Sequence, residues 1–176
     1  MRMSKNWRAY CLTAFGALQS SIENWGNPDF FRPITRSFYE QVFSSGYEHS
    51  GLISEKALNN PKQRTDDHCL SPQFICRMIM DNPDIYLSDY DIFENLFFLA
   101  KTTNKVTKSE NKQLSKLTSN NTIDYKVYVP TNLKYQHLGI KLYRKTGAQW
   151  KTAVECEDNI IPAPSDLLEY EKRFLV

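Results

Sequence analysis

Apolar residues change their period along this chain, and that change limits what it can fold into. Trp7, Tyr10, Cys11, Ala14, Phe15, Leu18 and Ile22 recur at three- and four-residue steps, the spacing of one helix face. Further on, Ile123, Tyr125, Val127 and Val129 alternate with Asp124, Lys126 and Tyr128, and residues 138–143 alternate in the same way. That is strand spacing, and it predicts that the two segments pair as a small C-terminal antiparallel sheet. A chain with both periods and no internal repeat is expected to be α+β. Its 176 residues fit one domain with a sizeable core, to which ten Phe, ten Tyr and three Trp supply large apolar surfaces. The expected layout is a helical part over 1–60, a central part over 64–117 and a strand-containing part over 120–176.

Punctuation refines this layout. The first helix is expected over about 5–23, ended by Gly26 and Pro28, with a second after Pro33 that buries Ile34, Phe38, Val42 and Phe43. Residues 44–66 read as loops with a short helix near 53–59. Ser71-Pro72 predicts a capped helix start, Phe74, Ile75, Met78 and Ile79 its buried face, and Asn82-Pro83 its end. Leu96-Phe97-Phe98-Leu99 is a short apolar run before a polar stretch, and Glu155, Glu157, Asp158, Asp166, Glu169 and Glu171 make an acidic end.

Lys and Arg number 22 against 20 Asp and Glu, so any affinity for nucleic acid must come from how charge is distributed, not from its total. Cys11, Cys69, Cys76 and Cys156 form no CxxC pair, which argues for a reducing cytoplasm and against a cysteine zinc site. Met1-Arg2-Met3 before Ala9–Leu18 has the outline of a leader, yet the helical spacing there describes a helix packed on a core. No stretch approaches the roughly 20 apolar residues of a membrane span. A cytoplasmic chain without a membrane partner is expected.

Of three histidines, His68 stands out because Asp66 and Asp67 precede it. Neighbouring side chains of an extended segment point to opposite sides, so Asp67 and His68 share a cleft only at a strand end or turn. Later come Asn95, the apolar run Leu96–Leu99, and Asn104, nine positions after Asn95. In these residues the chain resembles the HNH endonucleases, over roughly residues 64–112. Their pattern is an Asp-His pair, then Asn-Leu, a short apolar strand, and Asn or His at the start of a helix.

The resemblance implies a ββα core holding one metal ion and a metal-dependent DNA endonuclease, plausible for a restriction or phage enzyme. His68 matches the general base, Asp67 and Asn104 the metal ligands, and Asn95 the residue that pins the loop and orients the histidine. Oxygen ligands suit Mg²⁺ or Mn²⁺, and an ordinary imidazole titrates near about 6.5, suited to accepting a proton at neutral pH. The family's flanking cysteine pairs are absent, with Ala100 and Thr103 nearest those positions, so no structural zinc is expected. The interval from His68 to Asn95 is long and holds the 71–81 helix as an insertion.

Lys101, Lys105, Lys108, Lys112 and Lys116 recur at four- and three-residue steps, predicting one basic face on a helix that begins near Asn104, with Asn111 beside Lys108. Such a strip suits a phosphate backbone, and a solvated lysine face explains the same pattern. Tyr125–Lys151 interleaves basic and aromatic residues, which fits nucleic-acid contact and, slightly better, a sheet with a wet face. His49 and His137 read as structural. The expected substrate is double-stranded DNA, and a palindromic target would call for a homodimer. Two other functions fit the sequence: a DNA-binding module with a degenerate core, and a protein-interaction domain.

Overall fold

The computed structural model describes residues 5–117, 133–144 and 154–155. In chain order they form α1 (Trp7–Ser21), α2 (Pro28–Ser44), β1 (Glu48–Ser54), α3 (Glu55–Asn59), β2 (Arg64–His68), α4 (Pro72–Asp81), α5 (Pro83–Tyr86) and α6 (Tyr90–Lys101). These are followed by β3 (Thr102–Thr107), α7 (Lys108–Leu117), α8 (Leu133–His137), β4 (Leu142–Arg144) and β5 (Val154–Glu155). The fold is α+β. The chain divides into two compact units, Met1–Glu48 with Leu70–Thr102, and His49–Cys69 with Thr103–Val176.

The first unit is helical. α1 buries Cys11, Ala14 and Leu18, the centre of its predicted face, while Ile22 lies beyond its end and is exposed. α2 begins earlier than its sequence suggests: the Asn27 side chain accepts a bond from Asp29 N at 3.0 Å, and Pro28 occupies the first turn. Pro33 therefore lies inside this helix and does not start it. A cap plus a proline in the first turn outweighs the disruption from a second proline further in. α4 runs between the predicted proline boundaries and buries Phe74, Ile75, Met78 and Ile79. Ser71, read as its hydroxyl cap, donates instead to the Gln73 side chain.

Leu96–Leu99, expected as a strand, is helical. Phe93, Leu96, Phe97 and Ala100 follow steps of three, one and three, and all are buried on one side of α6. Asp89 caps that helix by accepting from Asp91 N at 2.7 Å. An apolar run of four fits either period, and here the cap upstream decides it. Phe93 and Phe97 meet Phe38 edge-on at centroid distances of 6.3 and 5.9 Å, and Phe15 meets Phe93 at 5.1 Å. These rings form an aromatic core for the helical unit.

The second unit carries a sheet of five strands in the order β2-β3-β1-β4-β5. β2 and β3 pair antiparallel, with Arg64 opposite Thr107, Asp67 opposite Asn104 and His68 opposite Thr103. β4 pairs antiparallel with β1 and β5. The segment expected to pair with residues 138–143 lies outside the described residues, and that predicted strand is largely a turn at Gly139 leading into a shorter β4. β1 was not visible in the sequence because Leu52, Ile53 and Ser54 are all buried, which erases alternation. Gly51 within it has φ 86°, a left-handed conformation that favours glycine even though a Cβ would meet nothing within 4 Å. Leu52, Val106, Leu114, Tyr135, Ile140 and Leu142 form the core of this unit.

The helix expected to begin near Asn104 begins at Lys108, because residues 102–107 pair as a strand. The start is fixed by a reciprocal cap. Thr107 N donates to Glu110 Oε2 at 2.8 Å, and Glu110 N donates to Thr107 Oγ1 at 3.2 Å. Hence the five lysines do not share a helix face: Lys101 ends α6, Lys105 lies in β3, and Lys108, Lys112 and Lys116 are exposed on α7. Among the described residues no helix is long and apolar enough to cross a membrane.

Candidate functional site

Asp67, His68 and Asn104 all lie on the β2–β3 pair of the second unit. Asn95 does not. It is exposed on α6, in the helical unit, on the side away from the phenylalanine core. The nine-residue interval that linked Asn95 to Asn104 thus joins a helix to a strand.

Alternation along the paired strands sorts the remaining residues. Asp67 and Asn104, directly opposite each other, share one face. On that face the Asp67 carboxylate is almost buried, and its Oδ2 accepts from Lys134 Nζ at 2.8 Å and from the Tyr135 hydroxyl. Both donors stand on α8. Asn104 is fully buried, and its Oδ1 accepts from the Ser50 hydroxyl of β1 and from Cys69 Sγ at 3.2 Å. Its Nδ2 is buried without a hydrogen-bond partner among the described residues. Burial, reinforced by the Asp67 charge, pushes the Tyr135 phenol well above its ordinary value. Burial likewise raises the Cys69 thiol. Both groups therefore stay protonated and act as donors to the oxygens beside them.

Asp66, His68, Thr103 and Lys105 belong to the opposite face, where Thr103 and the His68 Nε2 atom are buried and the Asp66 and Lys105 side chains are partly buried. Asp66 Oδ1 is ion-paired with Lys105, and Thr103 Oγ1 lies 3.4 Å from the same oxygen. It is thus Asp66, two residues before His68, that shares the histidine's side of the strand. Lys101, read as a phosphate contact, is buried in the helical unit. Its ammonium is 3.4 Å from the Ser45 carbonyl and 5.0 Å from the Trp7 ring centroid. Asn111 falls in the first turn of α7 and is partly exposed, next to exposed Lys108 and Lys112.

Two other histidines were read as structural. His49 Nδ1 accepts from Gly51 N at 2.9 Å, which fits that role, and His137 is exposed on α8. At the far end of the β2–β3 pair, about 13 Å along the strand from His68, lies an open cavity of about 560 Å³ lined by Glu55, Lys56, Asn59, Asn60, Gln63, Thr107 and Ser109.

The pair Asp67 and Asn104 does not fit the divalent ion that the HNH resemblance implies. Mg²⁺ keeps several waters and needs carboxylate lone pairs, whereas these two oxygens are buried and already accept from two protein donors each. Among the described residues no group of three or more His, Cys, Asp or Glu side chains is placed to hold a metal ion.

Sequence reading missed Ser50 and Glu110, and it took Lys134 and Tyr135 for part of a basic and aromatic stretch on a wet sheet face, whereas both are buried on α8. The Thr107-x-x-Glu110 spacing was a readable capping signal. The other three sit 66, 68 and 54 residues from their partners, beyond any local pattern. Comparisons with protein-family models, with curated proteins and with solved structures find no match for the chain.

Proposed function

We propose that the protein is an HNH-like endonuclease that hydrolyses phosphodiester bonds in double-stranded DNA, with His68 as general base. The observation that carries this reading is the succession of two antiparallel strands and a helix, β2, β3 and α7, with His68 at the end of the first strand. Because α7 starts at Lys108, the family roles move along the chain. The pinning residue becomes Asn104, whose amide is held by Ser50 and Cys69, and the polar residue at the helix start becomes Asn111.

On this reading His68 takes a proton from water, the water oxygen attacks phosphorus, and the bond to the leaving sugar oxygen breaks as that oxygen gains a proton. Lys105 and Asp66 lie on the same face of the strand pair, where the lysine can offset charge on the phosphate. Lys108, Lys112 and Lys116 along α7 suit the flanking phosphates. Asp67 and Asn104 are given no metal, and no step is routed through one. A two-fold dimer would suit a palindromic target.

The test is cleavage of plasmid DNA by the purified protein with Mg²⁺, with Mn²⁺ and with chelator, beside His68→Ala. Cutting that the variant loses supports the reading, and the chelator arm decides whether a divalent ion takes part. A second reading, DNA binding without cleavage, is favoured by the protein donors that already occupy Asp67 Oδ2 and Asn104 Oδ1. It predicts salt-dependent binding that His68→Ala leaves intact, and no cutting of any unmodified DNA.

A further inference from the structure

Lys134 is 2 % exposed, and its ammonium reaches two oxygens of one short stretch of chain: Asp67 Oδ2 at 2.8 Å and the His68 carbonyl at 2.5 Å. A lysine so deeply buried is rare unless it is paired, and here two of its three N–H donors are met by one side chain and one backbone group. Tyr135, the next residue of α8, donates to the same Asp67 oxygen. Asp67 thus has a cation and a hydroxyl delivered by neighbouring residues, and the carbonyl that follows it is fixed by the same cation.

We propose that Lys134 fills, with its own ammonium, the place at Asp67 that a divalent ion would take, and that it is a positioning residue for His68. A point charge on a flexible stem can satisfy two oxygens that a hydrated Mg²⁺ would have to strip of their protein donors. By gripping both Asp67 and the His68 carbonyl, Lys134 anchors the end of β2 to α8 and limits how far the backbone carrying the imidazole can turn. The assignment of the cation stands whether or not the chain cuts DNA, whereas the positioning role rests on the endonuclease reading.

The experiment has two readouts. Binding of Mn²⁺ alone is followed by calorimetry for the wild type, for Asp67→Asn/Lys134→Met and for Lys134→Met. The double variant removes both charges together and so leaves no uncompensated buried ion. The expected result is that it binds Mn²⁺ as the wild type does, including not at all, while Lys134→Met acquires a Mn²⁺-dependent rise in melting temperature. Loss of wild-type Mn²⁺ affinity in the double variant would overturn the assignment, as it would make Asp67 a metal ligand. If Lys134→Met does not fold, Lys134→Gln takes its place in the same measurement, and a folded Lys134 variant without the Mn²⁺-dependent rise would overturn the assignment.

The second readout is plasmid cleavage by the wild type and the folded double variant. A positioning role predicts a fall in kcat of about 100-fold with KM nearly unchanged, the scale of a misplaced catalytic group. Cleavage by the double variant at the wild-type kcat would refute the positioning role. A wild type that does not cut would count against the endonuclease reading and leave the Mn²⁺ result to judge the cation.

Discussion

Replacing Glu110 should destabilise the strand-bearing unit more than any other single polar change on α7. Its carboxylate is 3 % exposed and one oxygen accepts three bonds: from Ser54 Oγ at 2.7 Å, Thr107 N at 2.8 Å and Thr107 Oγ1 at 2.8 Å. Each hydrogen bond to a charged group is worth about 1.5–3 kcal/mol, and three that share an acceptor do not add in full. The relieved cost of burying the carboxylate offsets part of the loss. Glu110→Ala therefore costs about 3 kcal/mol, or a fall in Tm of about 6–12 °C for a chain of this size. Glu110→Gln keeps the shape and an acceptor but loses the charge, and should cost about half as much.

Ser54 makes the reasoning testable in finer grain. Its hydroxyl donates to Glu110 and accepts from Ala57 N at 3.1 Å, so one side chain joins the caps of α3 and α7. In a double-mutant cycle, Ser54→Ala and Glu110→Ala should show a coupling of about 1 kcal/mol. The assay is urea unfolding followed by circular dichroism with thermal scans alongside. A Glu110→Ala variant within about 1 kcal/mol of the wild type, or one more stable than Glu110→Gln, would show that the carboxylate is not the residue that sets the start of α7.

Three further outcomes are expected. Lys101→Met should stabilise the protein by about 1 kcal/mol, measured by thermal unfolding at neutral pH, since one long bond, a ring and the nearby Glu48 charge offset only part of the cost of burying the ammonium. Burial lowers the pKa of Lys101 despite the Glu48 charge nearby, so the folded state binds its proton less tightly than the unfolded chain does. Its cost is full at neutral pH and fades as pH rises towards the ordinary lysine range, a gain in alkaline stability that Lys101→Met should lack. In the cleavage assay, Asn95→Ala should match the wild type, whereas Asn111→Ala should lower kcat by at least tenfold, and the reverse order would return the motif to α6. Lys108→Gln/Lys112→Gln should reduce the slope of log affinity against log salt for DNA by about 2, read by fluorescence anisotropy, because each lost phosphate contact removes about 0.9.

Much of the helical unit was legible from sequence because its signals are local. The Pro72 and Pro83 boundaries and the Cys11, Ala14, Leu18 stripe each lie within one or two turns of chain, and each was readable. Errors arose where two periods were both satisfied. Phe93, Leu96, Phe97 and Ala100 make a helix stripe, yet Leu96–Leu99 read alone is equally an apolar strand. Thr102–Thr107 carries few large apolar residues, so nothing local marked it as a strand. It becomes one through pairing with Arg64–His68, far back along the chain. Within the site, His68 and Asp67 were legible as a pair, but which face each takes was not. That depends on the register opposite Thr103 and Asn104.

The same register explains why the nine-residue interval joins a helix to a strand. The β2–β3 pair is closed across residues 69–101, of which nearly all belong to the helical unit, so the two halves of the candidate core are consecutive in space but not in sequence. A motif written as a continuous string then finds its second half too early, in the α6 residues just before the strand. The cost of such an excursion is modest, since loop-closure entropy grows only as the logarithm of length, and an excursion that folds on its own apolar core offsets it. On the proposed endonuclease reading, aligning the string by strand pairing, and not by residue interval, would move the pinning role from Asn95 to Asn104 and the helix-start role from Asn104 to Asn111. That shift is the reason the Asn95→Ala and Asn111→Ala comparison separates a motif read by count from one read by fold.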